Sequence, residues 1–135
     1  MAVSDARAAS NVVRLERARV LLVGSDVPFL RVAAALLSFE GHSVQSCDRP
    51  RELLEFVYRQ RTDVAVIDAS RSVGEAARAA ASLRALPDPV AAVLVIDHER
   101  SSPAAGVPLL SKWGHFDELS TRVDEAYEWR YGGCA

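Results

Sequence analysis

Short, unbroken apolar runs that stop abruptly at Gly or Asp constrain the fold of this chain more than any other feature. The runs are Val20–Val23, Val64–Ile67 and Ala92–Ile96, and they stop at Gly24, Asp68 and Asp97. A strand with one wet face alternates apolar and polar residues, whereas a continuous apolar run is typical of a parallel strand that is buried on both faces. The three runs therefore predict the centre of a parallel sheet.

Segments with helical spacing separate these runs. Each has a recognisable start or stop signal, such as Asp26 before a helix that ends near Gly41 or Asp48 before the next one. The predicted helices are one after Asp26 that carries apolar residues from Phe29 to Phe39 and stops at Gly41, a segment from Asp48 to about Gln60, Gly74–Leu86 and Phe116–Arg130. Strands that alternate with helices in this way indicate an α/β domain whose sheet is covered on both faces.

Two weaker strands complete the sheet. They are Ser43–Ser46 and Val107–Leu110, and Pro108 favours an edge position for the second one. Five strands in this order predict a flavodoxin-like, doubly wound parallel sheet with the strand order 2-1-3-4-5. The polar stretch 97–106 leaves little room for a helix before the fifth strand, so we expect the fourth helix of such a fold to be reduced or missing.

Length and charge limit the other possibilities. The 135 residues fit one domain, which we place at residues 19–131 between tails at 1–18 and 132–135. A formal net charge of -2 gives no electrostatic reason to expect a nucleic acid or an anionic membrane as partner. No apolar stretch reaches the roughly 20 residues of a membrane span, and no signal peptide is evident. We therefore predict a soluble, cytoplasmic protein.

The candidate site lies where the strands end. In doubly wound sheets, ligands bind at the carboxyl ends of the strands, near the point where the strand order reverses. The residues that the pattern places at these strand ends are Gly24, Ser25, Asp26, Asp68, Asp97, His98, Ser111 and Lys112. We expect these residues to form one cluster.

Three segments resemble the receiver domain of two-component response regulators. They are RVLLVGSDVPFLRVAAALLSFEGHSV for the first strand and helix, RTDVAVIDAS for the third strand, and LLSKWGHFDELSTRV for the fifth strand and last helix. The resemblance covers residues from about Arg19 to Trp129. It implies that Asp68 is the phosphoacceptor candidate and that Asp26 and Lys112 support it.

The resemblance is incomplete at the phosphorylation site. Receivers carry an acidic pair after the first strand, and the aligned positions here are Gly24 and Ser25. The position of the usual hydroxyl after the fourth strand falls at Ile96 or Asp97. The usual lysine is followed by Trp113 instead of a cis proline, and a non-proline cis bond costs about 2.5–4 kcal/mol. The family's metal and phosphoryl contacts are therefore depleted, which indicates a degenerate receiver.

These departures favour one function and leave others open. The favoured hypothesis is an atypical single-domain receiver that binds another signalling protein in trans, independently of phosphorylation, with no enzymatic activity and no cofactor. One alternative is a working receiver that a histidine kinase phosphorylates on Asp68, with Mg²⁺ held by Asp26 and Asp68. Another is a small-ligand-binding flavodoxin-like module, although the loops after strands 1 and 3 lack aromatic residues to hold a flavin. Homodimer formation stays open.

Plain structural roles remain open for the same residues. Asp68 could pair with Lys112 or cap the segment that follows it, and Lys112 could be a solvated surface lysine. Asp97 and His98 form a pair that is usually solvated when it lies in a loop. Asp26 is expected to cap the first helix whatever else it does.

Overall fold

A computed structural model describes residues 17–97, 109–114 and 116–129 of the chain. It contains one sheet of five parallel strands, in the order β2-β1-β3-β4-β5. The strands are β1 (Arg19–Val23), β2 (Ser43–Cys47), β3 (Val64–Asp68), β4 (Ala91–Ile96) and β5 (Leu109–Ser111). The predicted fold class and strand order are confirmed.

Four α-helices of the described residues connect or follow these strands. They are α1 (Val27–Phe39), α2 (Leu53–Arg59), α3 (Val73–Arg84) and α4 (Phe116–Glu128), and a 3-10 turn at Pro50–Glu52 precedes α2. The predicted cap at Asp48 is wrong, because the 3-10 turn intervenes and no side chain caps α2. The segment between β4 and β5, where a reduced helix was expected, falls at 98–108, outside the described residues, as do 1–16 and 130–135.

Alternate residues of the central strands point to opposite faces of the sheet, and each face is covered by its own helices. On one face, Leu21, Ile67 and Leu94 pack with residues of α2 and α3. On the other face, Leu22 and Val66 pack with residues of α1 and α4. This arrangement explains the continuous apolar runs, because both faces of β1, β3 and β4 are buried.

Both ends of α1 follow from local sequence signals. The Asp26 carboxylate accepts a hydrogen bond from the Phe29 backbone N–H at 3.3 Å, as an N-cap does. Gly41 has a φ of 98°, a left-handed conformation that glycine adopts without steric cost, and the following His42 N–H bonds back to Leu37 O. The Asp26 cap and the Gly41 stop are therefore confirmed, and they fix where the loop after β1 ends and where the turn into β2 begins.

The packed structure begins before the predicted domain boundary. Ala18, which the sequence pattern placed in the tail, is fully buried, and its N–H donates to His42 Nδ1 at 3.1 Å. Arg17 forms an ion pair with Asp124 of α4. These contacts tie the start of β1 to α4. No helix within the described parts of the chain has the length and apolar character needed to cross a membrane.

Candidate functional site

The carboxyl ends of β1, β3, β4 and β5 bring four charged side chains together. Asp26 follows β1, Asp68 ends β3, Asp97 follows β4 and Lys112 follows β5. The parallel register places these strand ends at one edge of the sheet. The clustering that the sequence predicted for Asp26, Asp68, Asp97 and Lys112 is therefore present.

Lys112 lies at the centre of this cluster. Its Nζ is 2.7 Å from Asp68 Oδ2, 2.8 Å from Asp26 Oδ2 and 3.1 Å from Asp97 Oδ1. The residue is only 3% exposed, so the solvated-lysine interpretation is wrong. An ammonium has three N–H donors, and three carboxylates surround this one. All of its hydrogen-bonding capacity is therefore used inside the protein.

The carboxylates stabilise the charge of the buried ammonium. Burial by itself lowers the pKa of Lys112, but the hydrogen bonds that the ammonium donates to Asp26, Asp68 and Asp97 outweigh it and raise this pKa above the ordinary value of a lysine. Conversely, the hydrogen bond from Lys112 holds the pKa of the Asp26 carboxyl below its usual value. Three carboxylates against one ammonium leave a formal excess of two negative charges.

Asp68 is held on both of its carboxylate oxygens. Oδ2 faces Lys112, and Oδ1 accepts a hydrogen bond from the Ser70 backbone N–H at 2.9 Å. Its side chain is only 10% exposed. The pairing and capping roles that the sequence left open for Asp68 are both present.

Gly24 packs directly against Asp68. A Cβ atom at Gly24 would lie 2.8 Å from Asp68 Cβ, and the φ of Gly24 is +157°. A side chain at this position, including the aspartate that receivers carry, therefore collides with the aspartate of β3 unless the backbone moves. The absence of an acidic side chain at Gly24 is thus explained by the close approach of the ends of β1 and β3.

Two aromatic rings flank the cluster on the α1 side. The Phe29 ring lies 5.5 Å from Lys112 Nζ, and it contacts Trp113 edge to face with the ring centres 5.9 Å apart. Trp113 is about half exposed. The peptide bonds of the described residues are all trans, including the one that joins Lys112 to Trp113. Trp113 therefore occupies a place from which its fluorescence can report on Lys112.

The cluster does not suit Mg²⁺, the ion that the receiver resemblance implies. Mg²⁺ needs oxygen ligands in octahedral geometry at about 2.0–2.1 Å. The oxygens of Asp26 and Asp68 that face the centre are occupied by the Lys112 ammonium, which would have to leave first. Within the described ranges, no group of three or more acidic, His or Cys side chains is arranged to hold a metal. The Lys112 ammonium contacts the carboxylates that a metal cation would otherwise use as ligands.

Sequence reasoning missed one contact and one cavity at the site. The sequence placed Asp97 in the cluster but indicated a solvated side chain, whereas its carboxylate contacts Lys112 while it remains about half exposed. The neighbouring His98 lies outside the described residues. The second omission is a cavity beside Asp68 whose lining includes Arg49, Arg51 and Arg71. The predicted strand order could have indicated it, because the loops after β1, β2 and β3 are neighbours.

Comparisons with known proteins identify the fold through structure alone. A scan against protein-family models and a search of curated proteins found no match to this chain. Solved structures of response-regulator receiver domains do match it. The N-terminal domain of a response regulator/sensory box/GGDEF 3-domain protein from Carboxydothermus hydrogenoformans gives a TM-score of 0.72 at 15% identity, over 87% of this chain and 99% of that one.

Two further structures show the same likeness. The signal receiver domain of a putative LuxO repressor protein from Vibrio parahaemolyticus has a TM-score of 0.70 at 18% identity, over 84% of this chain and 92% of its own. A response regulator from Thermotoga maritima has a TM-score of 0.64 at 19% identity, over 82% of this chain and 98% of its own. This chain therefore has the fold of response-regulator receiver domains, as its sequence motifs predicted.

Proposed function

We propose that this chain is a degenerate receiver that transmits a signal by binding another protein, without phosphorylation of Asp68. The observation that carries the proposal is the saturation of Lys112. Its three N–H donors are directed at Asp26, Asp68 and Asp97. A phosphoryl group on Asp68 carries negative charge that hydrogen-bond donors and positive groups around it must offset. Lys112 offers neither without first breaking contacts that the resting protein already makes.

The charge balance of the cluster supports the same proposal. An attached phosphoryl group carries about two negative charges at neutral pH. The cluster already has three carboxylates around one ammonium. Adding the phosphoryl group without a divalent cation increases the repulsion between Asp26, Asp97 and the modified Asp68. The Lys112 cluster is therefore better suited to a fixed structural role than to a phosphorylation cycle.

An exposed apolar surface on α1 supports the protein-binding part of the proposal. Val32 is 42% exposed and Phe39 is 89% exposed, and Trp113 adds a half-exposed ring beside Phe29. Arg31 is the single charged residue of α1. A helix whose outer face is apolar is typical of an interface, because ordinary surface helices present charged residues to solvent. We refer to Val32, Phe39 and Trp113 as the α1 surface.

The neighbouring helix indicates the chemistry of the partner. Ser120 of α4 donates a hydrogen bond to Glu40, which follows α1, so the two helices lie side by side. From Phe116 to Glu128, α4 carries five acidic residues and one basic residue, Arg122. A partner segment with an apolar stripe and basic residues along one flank matches this combination. We propose that an amphipathic helix of another signalling protein binds to the α1 surface and the adjacent acidic side of α4. The cytoplasmic location of the protein stays a prediction.

The test of phosphorylation independence uses beryllofluoride, which mimics a phosphoryl group on aspartate. We expect Mg²⁺ and beryllofluoride to leave both Trp113 fluorescence and the amide NMR spectrum of the protein unchanged. Trp113→Phe separates this signal from that of Trp129, and Asp68→Asn is the control for site-specific binding. A saturable, Mg²⁺-dependent change that Asp68→Asn abolishes contradicts the proposal and supports the alternative of a working receiver.

A further inference from the structure

A cavity of about 550 Å³ opens beside Asp68, on the side that Lys112 does not line. Its walls come from the loops that follow β1, β2 and β3 and from the start of α3. The lining residues are Gly24, Ser25, Asp48, Arg49, Arg51, Asp68, Arg71, Ser72 and Glu75. This volume lies within the range of about 300–1,000 Å³ that is typical of small-molecule sites.

The cavity lies at the place where the topology of the sheet reverses. From β1 the chain leaves to α1 on one face, and from β3 it leaves to α3 on the other face. The loops therefore diverge above the ends of β1 and β3, which opens a crevice between them. In open parallel sheets this crevice is the general position for ligand binding. The location and the cavity are independent observations that agree.

Three arginines of the cavity have no ion pair within the described parts of the chain. Arg49, Arg51 and Arg71 are exposed, and none of their guanidinium groups lies within 4.0 Å of a carboxylate there. By contrast, Arg59 pairs with Glu55 at 2.8 Å. The guanidinium fork matches the oxygens of a phosphate group and can bind it through two hydrogen bonds. The three arginines thus provide positive charge in the lining of the cavity.

The remaining polar groups narrow the class of ligand. Ser25 and Ser72 contribute hydroxyl groups, and the Asp48 and Glu75 carboxylates can accept hydrogen bonds from a ligand hydroxyl. The Lys112 ammonium partly offsets the negative charge of Asp68, so Asp68 repels an anion less than an unpaired carboxylate does. The residues that line the cavity include no aromatic side chain, which disfavours a flavin. A hydroxyl-bearing phosphate ester satisfies both the arginines and the carboxylates.

We propose that this cavity binds a small phosphate ester with free hydroxyl groups, such as a sugar phosphate, by reversible contact with Arg49, Arg51 and Arg71. The phosphate is a ligand and not a covalent modification, so Asp68 keeps its bonds to Lys112 and Ser70. The site goes beyond protein binding by the α1 surface, and it gives this chain a chemical input at the edge where receivers are phosphorylated.

The test is calorimetry and amide NMR of the full chain with ribose 5-phosphate, with ribose as the uncharged control. We expect saturable binding of ribose 5-phosphate with amide shifts at Gly24, Ser25 and Ser72, and no binding of ribose. Arg49→Gln and Arg71→Gln each weaken binding by roughly tenfold, because each removes a charge-assisted contact. Arg31→Gln on α1, which removes an exposed arginine outside the cavity, leaves binding unchanged.

Three outcomes overturn the proposal. They are the absence of saturable binding of ribose 5-phosphate, equal binding of ribose, and an equal loss of affinity in Arg31→Gln, which indicates diffuse electrostatic attraction. Asp68→Asn separates this site from the proposed function, because it cannot be phosphorylated but keeps all three arginines. Retained binding by Asp68→Asn supports the cavity, even where mass spectrometry of the wild-type protein shows that Asp68 accepts a phosphoryl group.

Discussion

The positive charges on the two sides of Asp68 are stabilised in different ways. On one side, Lys112 is buried and its ammonium is surrounded by three carboxylates. On the other side, Arg49, Arg51 and Arg71 line an open cavity, and no carboxylate in the described ranges pairs with them. A buried charge must find partners within the protein, whereas an exposed charge is stabilised by water and stays available to a ligand. At the same strand ends, the Lys112 cluster therefore has a structural role, whereas the arginine-lined cavity is a candidate binding site.

The strongest way to test this contrast is to remove one cation from each side. We expect Lys112→Met to lower the free energy of unfolding by about 3 kcal/mol, because it leaves three adjacent carboxylates, of which Asp68 is only 10% exposed, without their partner. This is the lower end of the range for breaking a buried pair, since Asp97 is half exposed and remains solvated. Urea unfolding followed by circular dichroism measures the difference.

The matched variant for the cavity side is Arg71→Gln. Because Arg71 is exposed and has no ion pair within the described residues, we expect a change of no more than about 0.5 kcal/mol. Equal losses for Lys112→Met and Arg71→Gln contradict the distinction between the two sides.

A second test concerns the close approach of β1 and β3. We expect Gly24→Ala to lower the free energy of unfolding by about 2 kcal/mol, because the new Cβ meets Asp68 Cβ and the backbone has a positive φ. Gly74→Ala is the control, since its Cβ makes only ordinary contacts, with the Arg78 guanidinium at 3.6 Å and with Ser72 Oγ at 4.0 Å. An unchanged or slightly higher stability is expected for Gly74→Ala. If Gly24→Ala is tolerated equally well, packing against Asp68 does not explain why position 24 lacks the acidic residue of receivers.

The smallest expected effect is the pH dependence that Asp26 contributes. The hydrogen bond from Lys112 lowers the pKa of Asp26 in the folded protein. The resulting stabilisation is therefore complete above the pKa of Asp26 in the unfolded chain, about 3.9, and is lost as the pH falls through the lower pKa in the folded protein. We expect Asp26→Asn, which still caps α1, to cost about 1 kcal/mol at neutral pH and to flatten the decline in stability below pH 4 or so.

The pH series is measured by urea unfolding between neutral and acidic pH. Asp48→Asn, a neighbour of the cavity on the other side of Asp68, is the comparison at neutral pH, where we expect a change within about 0.5 kcal/mol. A parallel acid decline in wild-type protein and Asp26→Asn contradicts a stabilising bond between Asp26 and Lys112.

Local patterns in the sequence predicted the fold well, because they arise from burial that each strand undergoes by itself. Val64–Ile67 is apolar throughout since both faces of β3 are covered, and this is visible without knowing which residues cover them. The cap at Asp26 and the stop at Gly41 depend on a few neighbouring residues and were predictable for the same reason. The predicted cap at Asp48 was wrong because a 3-10 turn replaces the expected first turn of the helix.

The sequence by itself determined the order of the strands, the two covered faces and the meeting of Asp26, Asp68 and Lys112 at one edge. Only the tertiary structure decided that Lys112 is buried with Asp97 as its third partner, and that arginines from two loops surround one cavity. The physical reason is that burial and charge pairing depend on distances between segments far apart in the chain. An arginine in a loop has the same sequence pattern whether it faces open solvent or a binding site.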